Sequence, residues 1–377
     1  MKVAYFSNHF VESNGHGIAR YTKKVFEGIH GLDSGITLIP ISSLSRSRIH
    51  DFCRLKENTG LKLLPWGRYP TALAWGFLRR PNLEYWVGND FDLVHAPNLG
   101  YPVPTKKPYI VTIHDVGPLT RPEFFSKRSI TWMKLGLDYA IKKASNIICV
   151  SRATADEVIS IGGKQLANRI HVIHEGVEPL FYNNPDVVCL HTLEGMPPKG
   201  TPFCLAAGAI SPRKNIKQIV LAMEKLTDEL PHHHLCLVGG GGWDNQEVFD
   251  LVRNSPIANR IHHLGYVSDK QLHALYSMAE VFIYPSLFEG FGLPVIEAMA
   301  SGCPVITSNI SSLPEIAGRS AVLVDPYDVS SIAKAIINVC SDGKNKEELS
   351  ELGLERSKMF SWEKCASQVA DVYKASV

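Results

Sequence analysis

The chain has 377 residues, of which 45% are hydrophobic and 20% charged, so it has room for two globular domains. It has no run of about eighteen apolar residues, no leader-like N-terminus and no Cys-x-x-Cys pair among its eight cysteines. We therefore expect neither a membrane-spanning protein nor a disulfide or zinc framework.

The charge is unevenly distributed, although the formal net charge is only +2. Residues 1–185 carry 23 Lys/Arg against 15 Asp/Glu, an excess of +8, and residues 186–377 carry 16 against 22, an excess of −6. A basic half is typical of a protein that binds an anionic partner such as a phosphate, a lipid headgroup or a nucleic acid. Random drift of surface charge is the alternative.

Strand-like and helix-like segments alternate along the first half of the chain. Ile18, Tyr21, Val25 and Ile29 recur at helical spacing, and a second helix is predicted over residues 127–143. Continuous apolar runs predict parallel strands buried on both faces. These runs lie at residues 2–7, 36–41, 92–96, 109–114, 146–150 and 169–173.

Residues 43–90 interrupt this alternation. The segment contains Trp66, Trp75 and Trp86 among several arginines. One hypothesis is an insertion that contacts an acceptor or a membrane surface. The other, which we favour, is a helical insertion with its own small core, since the sequence does not separate buried from exposed aromatic side chains.

The alternation restarts near Pro202 and continues through the second half. Strands are predicted at residues 203–207, 235–238, 261–264, 281–284, 304–307 and 321–324. Helices are predicted at residues 214–229, 245–253, 269–279, 294–301 and 328–340. Two such series predict an α/β fold with two Rossmann-like, doubly wound parallel sheets, joined by a Pro- and Gly-containing linker at 183–201.

The segment from Glu289 to Glu297 reads Glu-Gly-Phe-Gly-Leu-Pro-Val-Ile-Glu. Gly290 and Gly292 permit close approach of a ligand to the backbone, and Pro294 suits the first turn of a helix whose amides can bind phosphate or hydroxyl groups. Because the loop separates the two glutamates, they should contact different parts of one ligand, such as a sugar and a ribose. A glycine turn with acids favoured by the helix dipole is the alternative.

Arg213 and Lys214 follow the predicted strand 203–207 at the start of a helix. Arg presents a planar fork to phosphate oxygens and Lys adds a point charge, so the pair predicts a diphosphate clamp. Such cations would stabilise the charge that grows on a departing nucleotide. Two solvated basic residues are the alternative, but the helix dipole disfavours cations at this end.

Two features of the first half follow predicted strands, where α/β proteins bind ligands. Gly15-His16-Gly17 opens a helix, but the third glycine of a dinucleotide fingerprint is absent and Arg20 replaces a small residue, which weakens an NAD-dehydrogenase hypothesis. His114 ends a strand and can bond a sugar hydroxyl or move a proton. A histidine oriented by the neighbouring turn is the alternative.

In the order of these motifs the chain resembles the family 4 retaining glycosyltransferases over nearly its whole length. The opening Gly-Ile-Ala-Arg-Tyr is a softer match to bacterial mannosyltransferases of polysaccharide assembly. The motifs that carry the family resemblance are the N-terminal glycine loop, His114-Asp115, Val150-Ser151-Arg152, His174-Glu175-Gly176-Val177, Arg213-Lys214-Asn215, Leu264-Gly265-Tyr266-Val267 and Glu289 through Glu297.

This resemblance implies the GT-B fold, in which two Rossmann-like domains face a cleft. Residues 1–183 would form the acceptor-side domain and residues 184–359 the nucleotide-sugar domain. Residues 360–377 would form a helix that packs back on the first domain.

The resemblance also implies roles for individual residues. Glu289 would bind hydroxyls of the donor sugar, Glu297 the ribose, and Arg213 and Lys214 the diphosphate, while His114 would lie near the reacting carbon. Further donor contacts are implied for Gly15, Gly17, Tyr266, Val267, Phe291, Gly292 and Leu293.

The function implied by the resemblance is a retaining, metal-independent hexosyltransferase without a cofactor. The preferred donor is GDP-mannose and the preferred acceptor a saccharide linked to a polyprenyl lipid, with no nucleic acid partner. We expect a cytoplasmic protein, with peripheral membrane contact through the basic half as an open hypothesis. The alternatives are a nucleotide-sugar epimerase of the same two-domain plan and a non-catalytic protein that binds nucleotide sugars.

Overall fold

The chain forms two compact units in the computed structural model. One unit contains Met1–Gly176 and Trp362–Val377, and the other contains Val177–Ser361. Each unit has a parallel sheet with helices between the strands, so the predicted α/β class with two doubly wound sheets is confirmed. The structure describes residues 1–8, 17–49, 52–241 and 246–377.

The boundary between the units lies between Gly176 and Val177, ahead of the position expected at residue 183. The chain after this boundary already packs within the second unit. The Phe181 side chain is fully buried, and its ring lies 5.8 Å from that of His273 and 6.2 Å from that of Tyr276. Burial of this aromatic side chain fixes the segment before the Pro- and Gly-containing stretch begins.

The first sheet has the strand order β3-β2-β1-β4-β5-β6-β7, and its paired strands are parallel. All six strands predicted for this half are present, and the short edge strand β3 was not predicted. The strands are β1 (Lys2–Phe6), β2 (Thr37–Ser42), β3 (Lys62–Leu63), β4 (Leu93–Ala96), β5 (Tyr109–Ile113), β6 (Asn146–Cys149) and β7 (Ile170–Val172).

Helices cover this sheet, and the two helices predicted for the first half are present. The helices are α1 (Gly17–Gly31), α2 (Phe52–Thr59), α3 (Arg68–Leu73), α4 (Leu83–Val87), α5 (Gly117–Thr120), α6 (Lys127–Lys143) and α7 (Arg152–Gly162). A π-helical turn, Ala74–Leu78, continues α3.

The segment at 43–90 is helical and divides into two packing regions. Leu44, Ile49 and Leu61 form a small cluster of their own. The Trp75 side chain is fully buried in the main core, where its ring lies 5.8 Å from Phe6. The expected small core therefore exists, but it accounts for only part of the segment.

The second sheet has the strand order β10-β9-β8-β11-β12-β13 and parallel pairing. All six predicted strands are present. The strands β8, β9, β11 and β12 are apolar runs buried almost throughout, whereas the edge strands β10 and β13 are only partly buried. The strands are β8 (Phe203–Ala207), β9 (His234–Val238), β10 (Ile261–Gly265), β11 (Val281–Tyr284), β12 (Val305–Ser308) and β13 (Val322–Val324).

The second unit has two helices that the sequence did not predict, α12 and α14. The α12 helix is only one turn long, and α14 is rich in charged residues, so neither shows a clear apolar period. The helices are α8 (Ile216–Lys225), α9 (Gln246–Asn254), α10 (Asp269–Met278), α11 (Leu293–Ala300), α12 (Leu313–Ala317), α13 (Val329–Ser341) and α14 (Gly343–Ser357).

The last helix, α15 (Trp362–Lys374), belongs to the first unit and packs against α1. A buried polar chain fixes it there. The Tyr373 hydroxyl lies 2.6 Å from His95 Nδ1, and His95 Nε2 lies 2.9 Å from the Thr112 hydroxyl, which in turn bonds the Tyr21 hydroxyl at 3.0 Å. Burial lowers the pKa of His95 to about 3, so this histidine is neutral and each ring nitrogen has one partner.

No helix in the described ranges is long and apolar enough to cross a lipid bilayer.

Candidate functional site

The strongest site candidate in the second unit lies where its strand order reverses. From β8 the chain proceeds to β9 and β10 on one side and then crosses to β11 on the other. Loops that leave the carboxyl ends of β8 and β11 therefore diverge at a topological switch point, the usual ligand position in open α/β sheets. Both predicted donor motifs occupy these loops.

The loop after β8 contains a 3-10 turn, Pro212–Lys214, which ends at Asn215 in a left-handed conformation with φ 60°. The buried Asn215 amide donates to the carbonyls of Pro285 at 3.0 Å and Pro326 at 2.7 Å. The Arg213 carbonyl accepts from Leu287 N at 2.9 Å. These bonds tie the turn to the loop after β11 and fix the two cationic side chains.

The Glu289 carboxylate is the centre of this site. Its Oε1 atom lies 2.7 Å from Arg213 Nη1, 2.6 Å from Lys214 Nζ and 2.8 Å from the Tyr284 hydroxyl, which donates to it. The Lys214 ammonium also donates to the Tyr284 hydroxyl and lies 4.5 Å from the centre of that ring. Two cations and a phenol thus converge on one carboxylate oxygen.

The charges of this cluster are strongly coupled. Burial raises the pKa of Glu289, but Arg213 and Lys214 outweigh it and hold the pKa at about 2. Burial lowers the pKa of Lys214 to about 8, helped by the charge of Arg213 and opposed by Glu289. Burial, with the charge of Glu289, raises the pKa of Tyr284, so the phenol stays a donor. Near neutral pH the cluster of two cations and one anion is therefore net positive.

The loop after β11 is also tied to the next strand's loop. The Glu289 amide donates to Ser311 Oγ at 3.1 Å, and the Ser311 hydroxyl donates to the Glu289 carbonyl at 2.5 Å. The Ser312 hydroxyl donates to the Phe291 carbonyl at 2.7 Å. Gly292 then adopts φ 122°, which a side chain would strain, and α11 begins at Leu293. The loop is therefore held on both sides before the helix starts.

Glu297 lies on α11 and is only 4% exposed. It is separated from Glu289 by the glycine-containing loop, so the two glutamates lie on different elements as predicted from their spacing. The buried Phe291 packs edge-on against Phe360 at 5.9 Å. Its side chain is therefore part of the core, and the ligand contact implied for its amide stays a prediction.

Tyr266 and Val267 follow β10, at the outer edge of the same sheet. Tyr266 is exposed and Val267 is buried. They are two strands from β8, a separation of about 10 Å, so a ligand would need the length of a nucleotide to reach both places. Between them, Gly239 has φ 134°, and a Cβ atom there would lie 2.1 Å from the Gly208 carbonyl oxygen. Gly239 thus permits close packing of the loops after β8 and β9.

His114 follows β5 in the first unit and forms a buried pair with Glu175. Its Nδ1 atom lies 2.9 Å from Glu175 Oε1, and its Nε2 atom lies 2.9 Å from the Pro97 carbonyl oxygen. Because a carbonyl oxygen only accepts, Nε2 donates to Pro97. One proton therefore lies between Nδ1 and Glu175, and the Tyr21 ring packs edge-on at 4.8 Å. The ring can reach a sugar hydroxyl only by exchanging its bond to Pro97.

The glycine loop of the first unit is only partly described. Gly15 and His16 lie outside the described residues, whereas Gly17 is exposed and begins α1. Across the described ranges, no group of at least three His, Cys, Asp or Glu side chains is placed to hold a metal ion.

The structure brings Arg213, Lys214 and Glu289 together and places the other predicted residues on neighbouring loops or in the other unit. Sequence reasoning missed Tyr284 and Glu175 as individual site residues. Tyr284 is the last residue of β11 and Glu175 lies three residues after β7, so a position at or just beyond the carboxyl end of a parallel strand was the available signal. A tyrosine in an apolar strand is more often a core residue than a site residue, so the sequence offered no reason to single out Tyr284.

Two family models together match most of the chain. The model for Glycosyltransferase Family 4 matches residues 17–179, and the model for Glycosyl transferases group 1 matches residues 194–356. The Arg213, Lys214 and Glu289 cluster lies in the second match and His114 in the first.

One curated relative is similar over most of its length. The chain is 32% identical to O-antigen chain mannosyltransferase B of Escherichia coli, over 84% of each chain. It is 28% identical to the serotype-specific mannosyltransferase WbdA of Escherichia coli, but covers only 32% of that longer protein.

Solved structures share the fold over the whole chain. Sucrose-phosphate synthase from Thermosynechococcus elongatus superimposes with a TM-score of 0.79 at 22% identity, covering 100% of this chain and 98% of that chain. Anabaena HepE, solved in complex with UDP and glucose, superimposes with a TM-score of 0.75 at 19% identity, covering 100% of both chains.

The His114–Glu175 pair should make a measurable contribution to folding. We expect a double-mutant cycle of His114→Ala and Glu175→Ala, followed by urea unfolding, to give a coupling energy of about 1–3 kcal/mol, because either single change orphans a buried polar partner. The exposed Lys2–Asp90 ion pair is the control and should give a much smaller coupling. Equal coupling for the two pairs would contradict the assignment.

Proposed function

The chain belongs to glycosyltransferase family 4, and from this premise we propose that it transfers mannose from GDP-mannose to a saccharide acceptor. Membership of the family makes it a hexosyltransferase. The choice of mannose is supported by the relative named O-antigen chain mannosyltransferase B. That relative also supports a place in the synthesis of a bacterial cell-surface polysaccharide. For the acceptor we propose a saccharide linked to a polyprenyl lipid.

The observation that carries the proposal is the net-positive cluster of Arg213, Lys214 and Glu289 at the switch point of the second sheet. A nucleotide sugar joins a diphosphate to a polyhydroxylated ring, so it needs cations and a hydroxyl acceptor side by side. Arg213 and Lys214 supply the cations, and the Glu289 carboxylate accepts hydrogen bonds from the sugar hydroxyls. HepE was solved with a UDP-sugar, which supports a nucleotide-sugar donor for this shared fold.

In the proposed reaction the bond between the sugar carbon and the diphosphate oxygen breaks, and the acceptor hydroxyl takes its place. Negative charge grows on the leaving diphosphate. Arg213 and Lys214, held by Asn215 and Glu289, are fixed before the donor arrives and therefore act on that charge without rearranging. They supply the electrostatic role for which other transferases use a metal ion, so the proposal includes no metal and no cofactor.

Glu289 is proposed to bind the sugar hydroxyls rather than to act as a nucleophile or a base. Its pKa of about 2 makes it a weak base, and two cations hold its Oε1 atom. Both features disfavour a covalent or proton-abstracting role. We therefore propose retention by a route on one face of the sugar, in which the leaving diphosphate helps to deprotonate the acceptor.

The remaining contacts complete the proposed donor site. Glu297 would bind the ribose, and the loop at Tyr266 would bind the base. The phosphates and the sugar would be bound by the backbone amides of Phe291, Gly292 and Leu293. For Gly17 and His114, in the first unit, we propose a sugar contact on the basis of the family resemblance alone. The reaction would take place in the cytoplasm, where nucleotide sugars are the activated donors.

A donor screen tests the proposal directly. Thermal shift and hydrolysis are measured with GDP-mannose, UDP-glucose and ADP-glucose, first without acceptor. We expect stabilisation by GDP-mannose, followed by slow release of GDP and mannose. Release of an epimerised nucleotide sugar would support the rival epimerase instead. Binding without any turnover, even with acceptor present, would support the non-catalytic rival.

Replacing Glu289 by alanine should lower transferase turnover more than a hundredfold, a loss of about 2.7 kcal/mol or more of transition-state stabilisation. The change removes the hydroxyl acceptor and leaves Arg213 and Lys214 without the anion between them. Initial rates with radiolabelled donor provide the measurement, and circular dichroism checks folding. Glu289→Gln separates charge from shape, and the exposed Glu355→Ala is the matched control. Full activity of Glu289→Ala would refute the assigned role.

The alkaline pH profile should report on Lys214. We expect kcat/KM for the donor to fall as the pH rises through about 8, where Lys214 loses its proton and the site one positive charge. The arginine of the Lys214→Arg variant stays charged in this pH range, so the alkaline fall in kcat/KM should be absent from that variant, whatever its maximal rate.

The fold itself should not weaken in that range. The folded pKa of Lys214 lies below its ordinary value of 10.5, so deprotonation stabilises the folded state between these two values. Thermal melts across the range separate lost activity from unfolding. An identical alkaline limb in the wild type and in Lys214→Arg would show that another group is responsible.

A further inference from the structure

An apolar stripe crosses the surface of the first unit. Tyr69, Leu73 and Phe77 recur every fourth residue along α3 and the π-helical turn, and Leu78 lies beside the last of them. Their side chains are 55%, 53%, 60% and 73% exposed, in that order. Large apolar residues scattered singly on a surface need no explanation, but four on one continuous helical segment do.

The same segment shows that this exposure is not an incomplete core. Trp75 and Ala74, on the opposite side of the turn, are buried. The turn is anchored on α6, where the Phe77 ring packs against Trp132 at 6.1 Å and a Cβ atom on Gly76 would lie 2.8 Å from that indole. The helical segment therefore has a satisfied inner face and a separate apolar outer face.

Cations flank the apolar stripe within two stretches of sequence that are bounded, but not interrupted, by the acids Glu84, Glu123 and Asp138. Residues 61–83 contain four Lys or Arg and no Asp or Glu. Residues 124–137 contain three Lys or Arg and no Asp or Glu. The Arg128 guanidinium lies 5.6 Å from the centre of the Tyr69 ring. Lys127, Lys134 and Arg80 are exposed, and none of the three forms an ion pair with a carboxylate in the described part of the chain. The first acid along α6 is Asp138, one turn beyond Lys134.

Aromatic and aliphatic side chains bordered by Lys and Arg are the chemistry of a membrane interface. The rings and Leu side chains enter the boundary between headgroups and acyl chains, while the cations attract anionic lipids. The segment is too short to span a bilayer, and no described helix is apolar enough to do so. We propose that the apolar stripe of Tyr69, Leu73, Phe77 and Leu78 docks the first unit on a bilayer containing anionic phospholipid.

A bilayer fits this surface better than a second protein would. Protein–protein interfaces are depleted in Lys, whereas an anionic bilayer attracts it, and here every charged residue within 61–83 and 124–137 is a Lys or an Arg. The overall excess of +8 in residues 1–185 extends the same attraction over a longer range. The inference does not depend on the proposed donor or acceptor.

Vesicle flotation of the full chain tests the proposal. We expect co-flotation at low salt with vesicles of phosphatidylcholine and phosphatidylglycerol, and much less with phosphatidylcholine alone or at high salt. Leu73→Asp and Phe77→Asp should each weaken the apparent partition coefficient about tenfold or more, because an apolar contact is replaced by a repelled charge. Lys127→Ala and Lys134→Ala should each weaken it about fivefold.

Leu352→Asp is the matched control, since Leu352 is 41% exposed on α14 of the second unit and should float like the wild type. Circular dichroism of each variant checks that the fold is retained. Equal flotation of Leu73→Asp and the wild type would overturn the proposal, as would failure of the wild type to bind anionic vesicles at low salt. If the wild type dimerises but does not bind vesicles, and Leu73→Asp abolishes the dimer, the stripe would instead be an interface with a second copy of the chain.

Discussion

The carboxylate of Glu289, whose side chain is 11% exposed, holds together the loops that form the candidate site of the second unit. Its side chain forms ion pairs with Arg213 and Lys214, which lie in the loop after β8. It also accepts a hydrogen bond from Tyr284 at the end of β11. Its backbone is bonded to Ser311 in the loop after β12. Three neighbouring strands are therefore joined at their carboxyl ends through a single residue. A buried charge is tolerated only when it is paired and hydrogen-bonded, so these contacts depend on one another.

This arrangement has a consequence for ligand binding. The cations are already withdrawn from water and oriented by Glu289 when no ligand is bound. In the donor site that we propose, a diphosphate would bind Arg213 and Lys214 beside the Glu289 carboxylate, and the net positive charge of the cluster would outweigh the repulsion between the two anions. The same compromise keeps the pKa of Lys214 close to the physiological range. A site prepared in this way trades some stability of the fold for electrostatic preorganisation.

The first unit depends on buried polar contacts of a different kind. His95 joins strand β4 to the last helix through Tyr373, and His114 is fixed between Pro97 and Glu175. Because α15 follows the whole second unit in the sequence, the core of the first unit is built from two segments that are far apart along the chain. The outer face of α3 takes no part in this core, which leaves its aromatic side chains available for contact with another surface.

The sequence alone determined the strands of both sheets and the sites' general positions, because a parallel strand buried on both faces reads as a continuous apolar run and ligand loops follow its carboxyl end. It also identified Arg213, Lys214 and Glu289 individually. Only the tertiary structure decided that these three meet at one oxygen atom, that Tyr284 joins them, and that Glu175 holds His114. Tyr284 and Glu289 are five residues apart, but the other contacts link residues at least 61 positions apart, and no local periodicity encodes which loops meet. Burial has the same limit, since whether an aromatic residue of segment 43–90 faces the core or the solvent depends on what packs beside it.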